Sequence, residues 1–301
     1  MKFIQSVCLA LATLAGTSAF APLSGVKVQS IKDDGPVDLG EYLKKGSSSP
    51  DGKSLMIFGT YAGDFNNIEY AQRLRHYLPQ LREECGIDKV GFVMNCRKDQ
   101  ALAIAEMVDL DTESIDVFVD NTGEAGKVWG AERGWEPDNK ELSPYLKLFL
   151  MLWGLGAWAT LPAVISGYIG NPLTPQPWID DAFAVNKDKG RWPDEVLEIG
   201  ADGTVSNNFA DLPVVGSWPR RPLELATLRL QNMIGISIQN WKILGPDQEA
   251  LDAGVLTQLG GSLVLDNASG ETLFKWRDPG ICAVTNFEDL IKDIKGTSAK
   301  V

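Results

Sequence analysis

Thiols are scarce in this chain: four cysteines among 301 residues, with no Cys-x-x-Cys pair and no metal-ligand spacing between them. One of them, Cys8, lies in the amino-terminal apolar stretch, which leaves Cys85, Cys96 and Cys282 in the body of the chain. An odd set of this kind supports neither a disulfide framework nor a zinc site. Histidine is scarcer still, with His76 alone, flanked by Arg73, Arg75 and Tyr77 and without a Ser, Cys or acid at a spacing that suggests a triad or a metal site. Basic clusters are also missing. The formal charge is −12, and Lys and Arg are scattered, which argues against nucleic acid and against strongly anionic surfaces. The acidic run Asp109, Asp111, Glu113 and Asp116 lacks the Gly turn and the terminal Glu of a calcium loop, so it reads as a solvated face. No cofactor or metal is called for.

What remains is ordinary globular composition, 44% hydrophobic and 23% charged, at a length that allows one or two domains. The amino terminus has Lys2, an apolar stretch from Phe3 to Leu14 and the small residues Gly16 to Ala19, the layout of a cleavable secretory signal over residues 1–19. Thr17-Ser18-Ala19-Phe20-Ala21-Pro22 behind it resembles the signal-plus-transit junction of proteins entering secondary plastids, as in diatoms. The expected location is therefore the plastid, in the stroma or at the thylakoid. Unpaired cysteines fit a reducing compartment better than the extracellular space.

Residues 20–53, rich in Gly, Ser, Asp and Lys, read as a flexible leader with a short helix at Leu39 to Lys44. Regular alternation begins at Ser54. A strand Ser54 to Thr60, a helix Phe65 to Glu84 closed by Gly86, a strand Lys89 to Asn95, a helix Lys98 to Val108, a strand Ile115 to Val119 and a helix Gly123 to Trp129 follow one another. Such alternation predicts a mostly parallel sheet with helices on its faces. Near the carboxyl end, strands Gly261 to Asp266 and Glu271 to Trp276 flank Asn267 to Gly270, and a last helix runs Asn286 to Ile294 with Asn286 as its cap. The first half of the domain spans 54–135 and the second 251–301.

Between them, residues 136–250 form an insertion the size of a small domain, roughly 110 to 130 residues. From Leu148 to Ile169 no residue is charged. On length this could cross a membrane, but Gly154, Gly156, Pro162 and Gly167 divide it, so a helical hairpin packed on the sheet domain or lying in a membrane interface fits as well. A Pro- and Trp-rich loop, a short strand pair around Glu198 to Val205, a Pro-rich turn at Trp218 to Pro222 and one helix from Leu223 to Trp241 complete the insertion. Tryptophan is plentiful (Trp129, Trp135, Trp153, Trp158, Trp178, Trp192, Trp218), and core packing is the default reading for it.

Several separated strings carry a family resemblance. FVDNTGEAGKVWGAERG (118–134) resembles the peroxiredoxin stretch in which a strand ends in Asp before a helix and a Gly turn. LTQLGGSLVLDNASGETLFKWRDPG (256–280) resembles the carboxyl-terminal hairpin of the peroxiredoxin-like AhpC/TSA antioxidant family. PLELATLRLQNM with LMLWGLGAWATL and GYIG resembles the long insert of cyanobacterial and plastid members. The resemblance implies an α/β, thioredoxin-like sheet flanked by helices, with a long, mostly helical insertion before the carboxyl-terminal hairpin. It also implies thiol ancestry, with a cysteine or Cys-x-x-Cys at the head of the first long helix in some members. Here that head is Thr60-Tyr61-Ala62-Gly63, with Thr60 in the place of the first thiol and Gly63 of the second. A Thr hydroxyl ionises far above the ~8.5 of a thiol and cannot cycle through sulfenic acid. The cis-proline that precedes the hairpin in thioredoxins is replaced by Gly260-Gly261.

These readings yield candidate site residues. Gly63, Asp64 and Asn66 meet at a helix start, where they could hold an anion or simply cap the helix. Arg277 could point across the sheet end toward Thr60 or pair with Asp278. Cys96, beside Arg97 and Lys98, and Cys282 in PGICAV are the candidate redox thiols. The preferred expectation is a plastid protein that has lost the thiol site and acts by binding or assembly. Its partner would be a protein, at a thylakoid or photosynthetic complex, with 148–169 available to a membrane surface. The alternative is a thiol-dependent antioxidant using Cys96 or Cys282.

Overall fold

The computed structural model describes residues 23–45, 52–191, 197–201 and 205–298. The signal, the Phe20-Ala21-Pro22 junction, the turn around Pro50 and Trp192-Pro193 lie outside the described residues. In chain order the regular elements begin with β1 (Lys27–Ser30), β2 (Pro36–Asp38), α1 (Leu39–Lys44), β3 (Lys53–Phe58), α2 (Phe65–Cys85) and β4 (Ile87–Met94). Next come α3 (Lys98–Met107), β5 (Asp116–Val119), α4 (Glu124–Trp129), α5 (Pro144–Leu152), α6 (Thr160–Ile169) and α7 (Trp178–Asp188). Then follow β6 (Leu197–Ile199), β7 (Val205–Asn207), α8 (Glu224–Gln231), α9 (Trp241–Leu244), α10 (Gln248–Asp252), β8 (Gly261–Asp266), β9 (Thr272–Arg277) and α11 (Phe287–Ser298).

The architecture is mixed α/β: a seven-stranded sheet in the order β2-β1-β5-β4-β3-β8-β9, flanked by helices. The β3–β4 and β4–β5 pairs are parallel, and the other pairs of this sheet are antiparallel. Alternation along β3 sets the two layers, because successive side chains leave a strand on opposite faces. Leu55 and Ile57 face a core built with α2, α3, α7, α8 and α11. Met56 and Phe58 face a smaller core with Leu39 and Leu43 of α1 and Ala125 and Trp129 of α4. There Phe58 stacks on Trp129 at 4.5 Å between ring centroids.

Local chemistry explains the boundaries. The Asp64 carboxylate caps α2 by accepting from Asn66 N–H at 3.3 Å, and Gly86 ends it in the left-handed region at φ 67°. Asn286 accepts from Asp289 N–H at 3.0 Å at the start of α11. Pro162 falls in the first turn of α6, where its missing N–H leaves no helical bond unmade, so the expected kink does not arise.

Two expectations are corrected, and for the uncharged run the open choice between a span and a broken helical pair falls to the pair. Residues 23–45 are not a loose leader: β1 pairs with β2 and β5, and Leu23, Leu39 and Leu43 are fully buried or nearly so. The uncharged run does not form one long helix. Gly154 at φ 93° and Gly156 at φ 67° break it into α5 and α6, and no helix among the described residues is long and apolar enough to cross a membrane. The single helix expected from Leu223 to Trp241 is α8, a π-helical segment Asn232–Ile238 and α9.

Candidate functional site

The head of α2 is held between the end of β3 and the last part of the insertion. Thr60 and Ala62 are fully buried, and Tyr61 packs edge to face on Trp241, with ring centroids 6.0 Å apart. Gly63 N–H donates to Leu244 O at 3.1 Å, and a Cβ on Gly63 would press against Leu244. The insertion therefore closes over the loop where a reactive thiol would sit. Thr60 Oγ1 makes no bond of hydrogen-bonding geometry and is an orphaned buried hydroxyl.

Behind this loop lies a polar network that the sequence reading did not assemble. Asp278, at the end of β9 and fully buried, accepts from Tyr70 Oη at 2.6 Å and from Asn66 Nδ2 at 3.0 Å. Tyr70 Oη also lies 3.0 Å from Thr285 Oγ1, which lies 2.7 Å from Ser262 Oγ. Asn66 Oδ1 accepts from Cys282 N–H at 2.7 Å. Burial pushes the Asp278 carboxyl up to about 7, against the hydrogen bonds from Tyr70 and Asn66 that favour its charged form. Burial likewise pushes Asp64 up to about 6. Both carboxyls are buried, Asp278 fully and Asp64 nearly so.

Arg277 takes neither expected partner. Its guanidinium donates to Trp129 O at 2.7 Å and lies 5.4 Å from the Trp129 ring centroid, while Asp278 is committed to Asn66 and Tyr70. Gly260 and Gly261 are close-approach positions: a Cβ on Gly260 would collide with Phe58 O, and one on Gly261 with Trp276 O and the Trp129 ring. They pack strands and leave no opening.

Among the described residues the three thiols are unpaired and buried. At the Cys96 thiol burial outweighs the downward pull of Arg97 and Asp99 opposes it, while Arg97 is engaged by Asp99 and Asp247 and Lys98 by Asp34. Burial pushes the Cys96 thiol well above its ordinary range. Cys282 stands at φ 65°, and burial pushes it up to about 11 although Arg229 pulls the other way. Cys85, also buried, is raised as well. His76 Nδ1 is paired with the Asp181 carboxylate of α7, a partner far away in sequence. Among the described residues no three His, Cys, Asp or Glu side chains are grouped to hold a metal.

The tryptophans divide. Trp129 and Trp178 are core residues, whereas Trp153 and Trp158 are 62% and 74% exposed at the turn between α5 and α6. Around them Tyr145, Phe149, Ile165, Tyr168 and Ile169 are each more than half exposed. The helices α5 and α6 bury only Lys147 and Met151, and Thr160 and Gly167, respectively. Their outward face is apolar and aromatic, a surface of the kind that marks a partner or a membrane interface.

Comparison of the chain with family models, with curated proteins and with solved structures finds no match.

Proposed function

We propose that this chain is a thioredoxin-like, peroxiredoxin-related plastid protein that has given up thiol chemistry at its helix head and works by docking on a membrane surface. The strand order β4-β3-β8-β9, with α2 leaving the central strand and α11 following the hairpin, supports the thioredoxin-like plan. The added β5–α4 unit supports its peroxiredoxin-like variant. The observation that carries the functional reading is the head of α2, where Thr60 is fully buried under the insertion and no cysteine is present. An oxygen in place of sulfur cannot be cycled by peroxide, and a closed loop admits no peroxide.

The docking surface is the outward face of α5 and α6. Protein-binding patches are enriched in Arg anchors and ringed by a polar rim. Here the run 148–169 has no charged residue, and its two most exposed tryptophans cluster at one turn, the composition of an interfacial anchor. The photosynthetic membrane is the bilayer a plastid protein would meet.

Two measurements test the reading together. The purified chain, given hydrogen peroxide and a thioredoxin donor, should consume no more peroxide than the donor alone. Mixed with neutral phosphatidylcholine vesicles, it should float with them on a density gradient. Peroxide turnover at enzyme-like rates sinks the loss of thiol chemistry, and a chain left wholly at the bottom of the gradient sinks the docking.

A second reading has one observation in its favour. Cys282 lines a cavity, so a thiol-dependent antioxidant role at that position remains the alternative.

A further inference from the structure

A cavity of about 580 Å³ opens between α6, α8, β9 and the start of α11, on the far side of Cys282 from the sheet core. It is separate from the α2 head and of a size that takes a small organic molecule. Three guanidiniums line it: Arg73 of α2, Arg229 of α8 and Arg220 from the turn before α8. Two of these have a carboxylate. Glu69, almost fully buried, takes Arg73 at 2.7 Å and Arg229 at 3.1 Å. Arg229 also donates to Ala163 O and Cys282 O, and Arg73 donates to Thr285 O while its Nε has no acceptor.

Arg220 is different. It is only 9% exposed, its Nη2 reaches Ser166 O at a long 3.3 Å, its Nε has no acceptor, and among the described residues it pairs with no carboxylate. A buried, unpaired guanidinium costs several kcal/mol unless an anion meets it. Beside it the Gln176 side chain, 5% exposed, lines the same cavity with an unpartnered Oε1. A buried guanidinium and a buried amide, each with one unpartnered polar atom, thus belong to side chains that line one space. The remaining wall is apolar, from Leu225 of α8, Phe274 and Trp276 of β9 and Val284. Lys275 of β9 and Asp289 and Asp293 of α11 also line it, so four cations face two carboxylates on the lining.

We propose that this cavity binds a phosphate monoester with an apolar tail, its anionic oxygens on Arg220, its protonated oxygen on Gln176 and its tail along the Leu225–Phe274 wall. A phosphate head matches the site better than a carboxylate because it can present several acceptors to a guanidinium fork and still carry an O–H for the glutamine. The proposal is independent of membrane docking: either can stand without the other.

Octyl phosphate, octanol and inorganic phosphate, each titrated calorimetrically into the full chain at pH 6.5 below any micelle concentration, separate head from tail. Octyl phosphate is expected to bind at least tenfold more tightly than octanol and than inorganic phosphate. In Arg220→Gln the advantage over octanol disappears. Because a buried substitution can disturb folding, Ser166→Trp serves as a second variant. Ser166 is an exposed residue on the cavity lining, and a large side chain there should weaken octyl phosphate binding at least tenfold with an unchanged melting temperature. Equal binding of octanol and octyl phosphate overturns oxyanion recognition. Inorganic phosphate binding as tightly as octyl phosphate overturns the role of the apolar wall. Binding indifferent to both variants overturns the site.

Discussion

The Tyr70 hydroxyl donates to the Asp278 carboxylate at 2.6 Å in a fully buried setting, and that carboxyl is pushed up to about 7. The unfolded value is 3.8, so between these limits the folded chain holds a proton that the unfolded chain releases. Stability contributed by the protonated group is complete below pH 3.8 and is lost as pH rises through 7, at up to about 1.4 kcal/mol per pH unit. Asp64 acts in the same direction up to about pH 6. Glu69 acts oppositely, since Arg229 and Arg73 outweigh its burial and hold it below 4.5, but its window closes under pH 5. Urea unfolding should therefore give a higher free energy at pH 5 than at pH 8. Asp278→Asn should flatten that slope while costing on the order of 1 kcal/mol at pH 5. A slope left unchanged in the variant would show that Asp278 is not its source.

Glu69 joins two arginines from different elements, and its removal tests that junction. Glu69→Gln leaves Arg73 and Arg229 buried without their shared carboxylate. The expected loss is roughly 3–5 kcal/mol in denaturant unfolding. A loss below about 1 kcal/mol would mean that the cations find other partners.

Thiol reactivity separates the two functional readings. With its thiol at about 11, Cys282 is thiolate in roughly one molecule in ten thousand at pH 7, and Cys96 in fewer. Iodoacetamide should label both more than about a hundredfold slower than free cysteine in the folded chain, and at ordinary rates after unfolding in guanidinium. Mass spectrometry finding Cys282 alkylated faster than free cysteine would restore the antioxidant reading.

Membrane docking is read most directly at the turn between α5 and α6. Trp153→Ser together with Trp158→Ser removes the two most exposed rings of that face without touching a core residue. Vesicle partitioning should fall by more than about tenfold, since each ring would bury ~150–250 Å² of surface in the interface. Unchanged flotation of the double variant would move the contact elsewhere.

Much of the frame could be read from the chain itself where short-range chemistry decides. The helix α2 announced itself through apolar spacing, the Asp64 cap and the Gly86 stop, and the β8–β9 hairpin through its apolar runs around Asn267 to Gly270. The strands β1 and β2 were hidden because they are short and half polar, and only their pairing with each other and with β5 makes them strands. The break from α8 into a π-helical turn was hidden too, since apolar spacing continues through Asn232–Ile238 while Asn232 is drawn toward Gln72 and Asn186 by buried amide bonds. The candidate thiols were visible as residues, but their burial was not. The cavity was least legible of all: Arg73, Arg220 and Arg229 come from separate elements, and the Asp278 network draws on α2, β8 and the segment before α11.

The first strand has one more implication, for maturation of the chain. Leu23 is wholly enclosed by the smaller core, and four residues later the backbone enters the sheet beside β5. A protease that trimmed the amino terminus would have to stop short of Leu23 to leave this packing intact. A cut further in would peel away two edge strands and uncover β5, trading a finished protein for one with a raw, sticky margin.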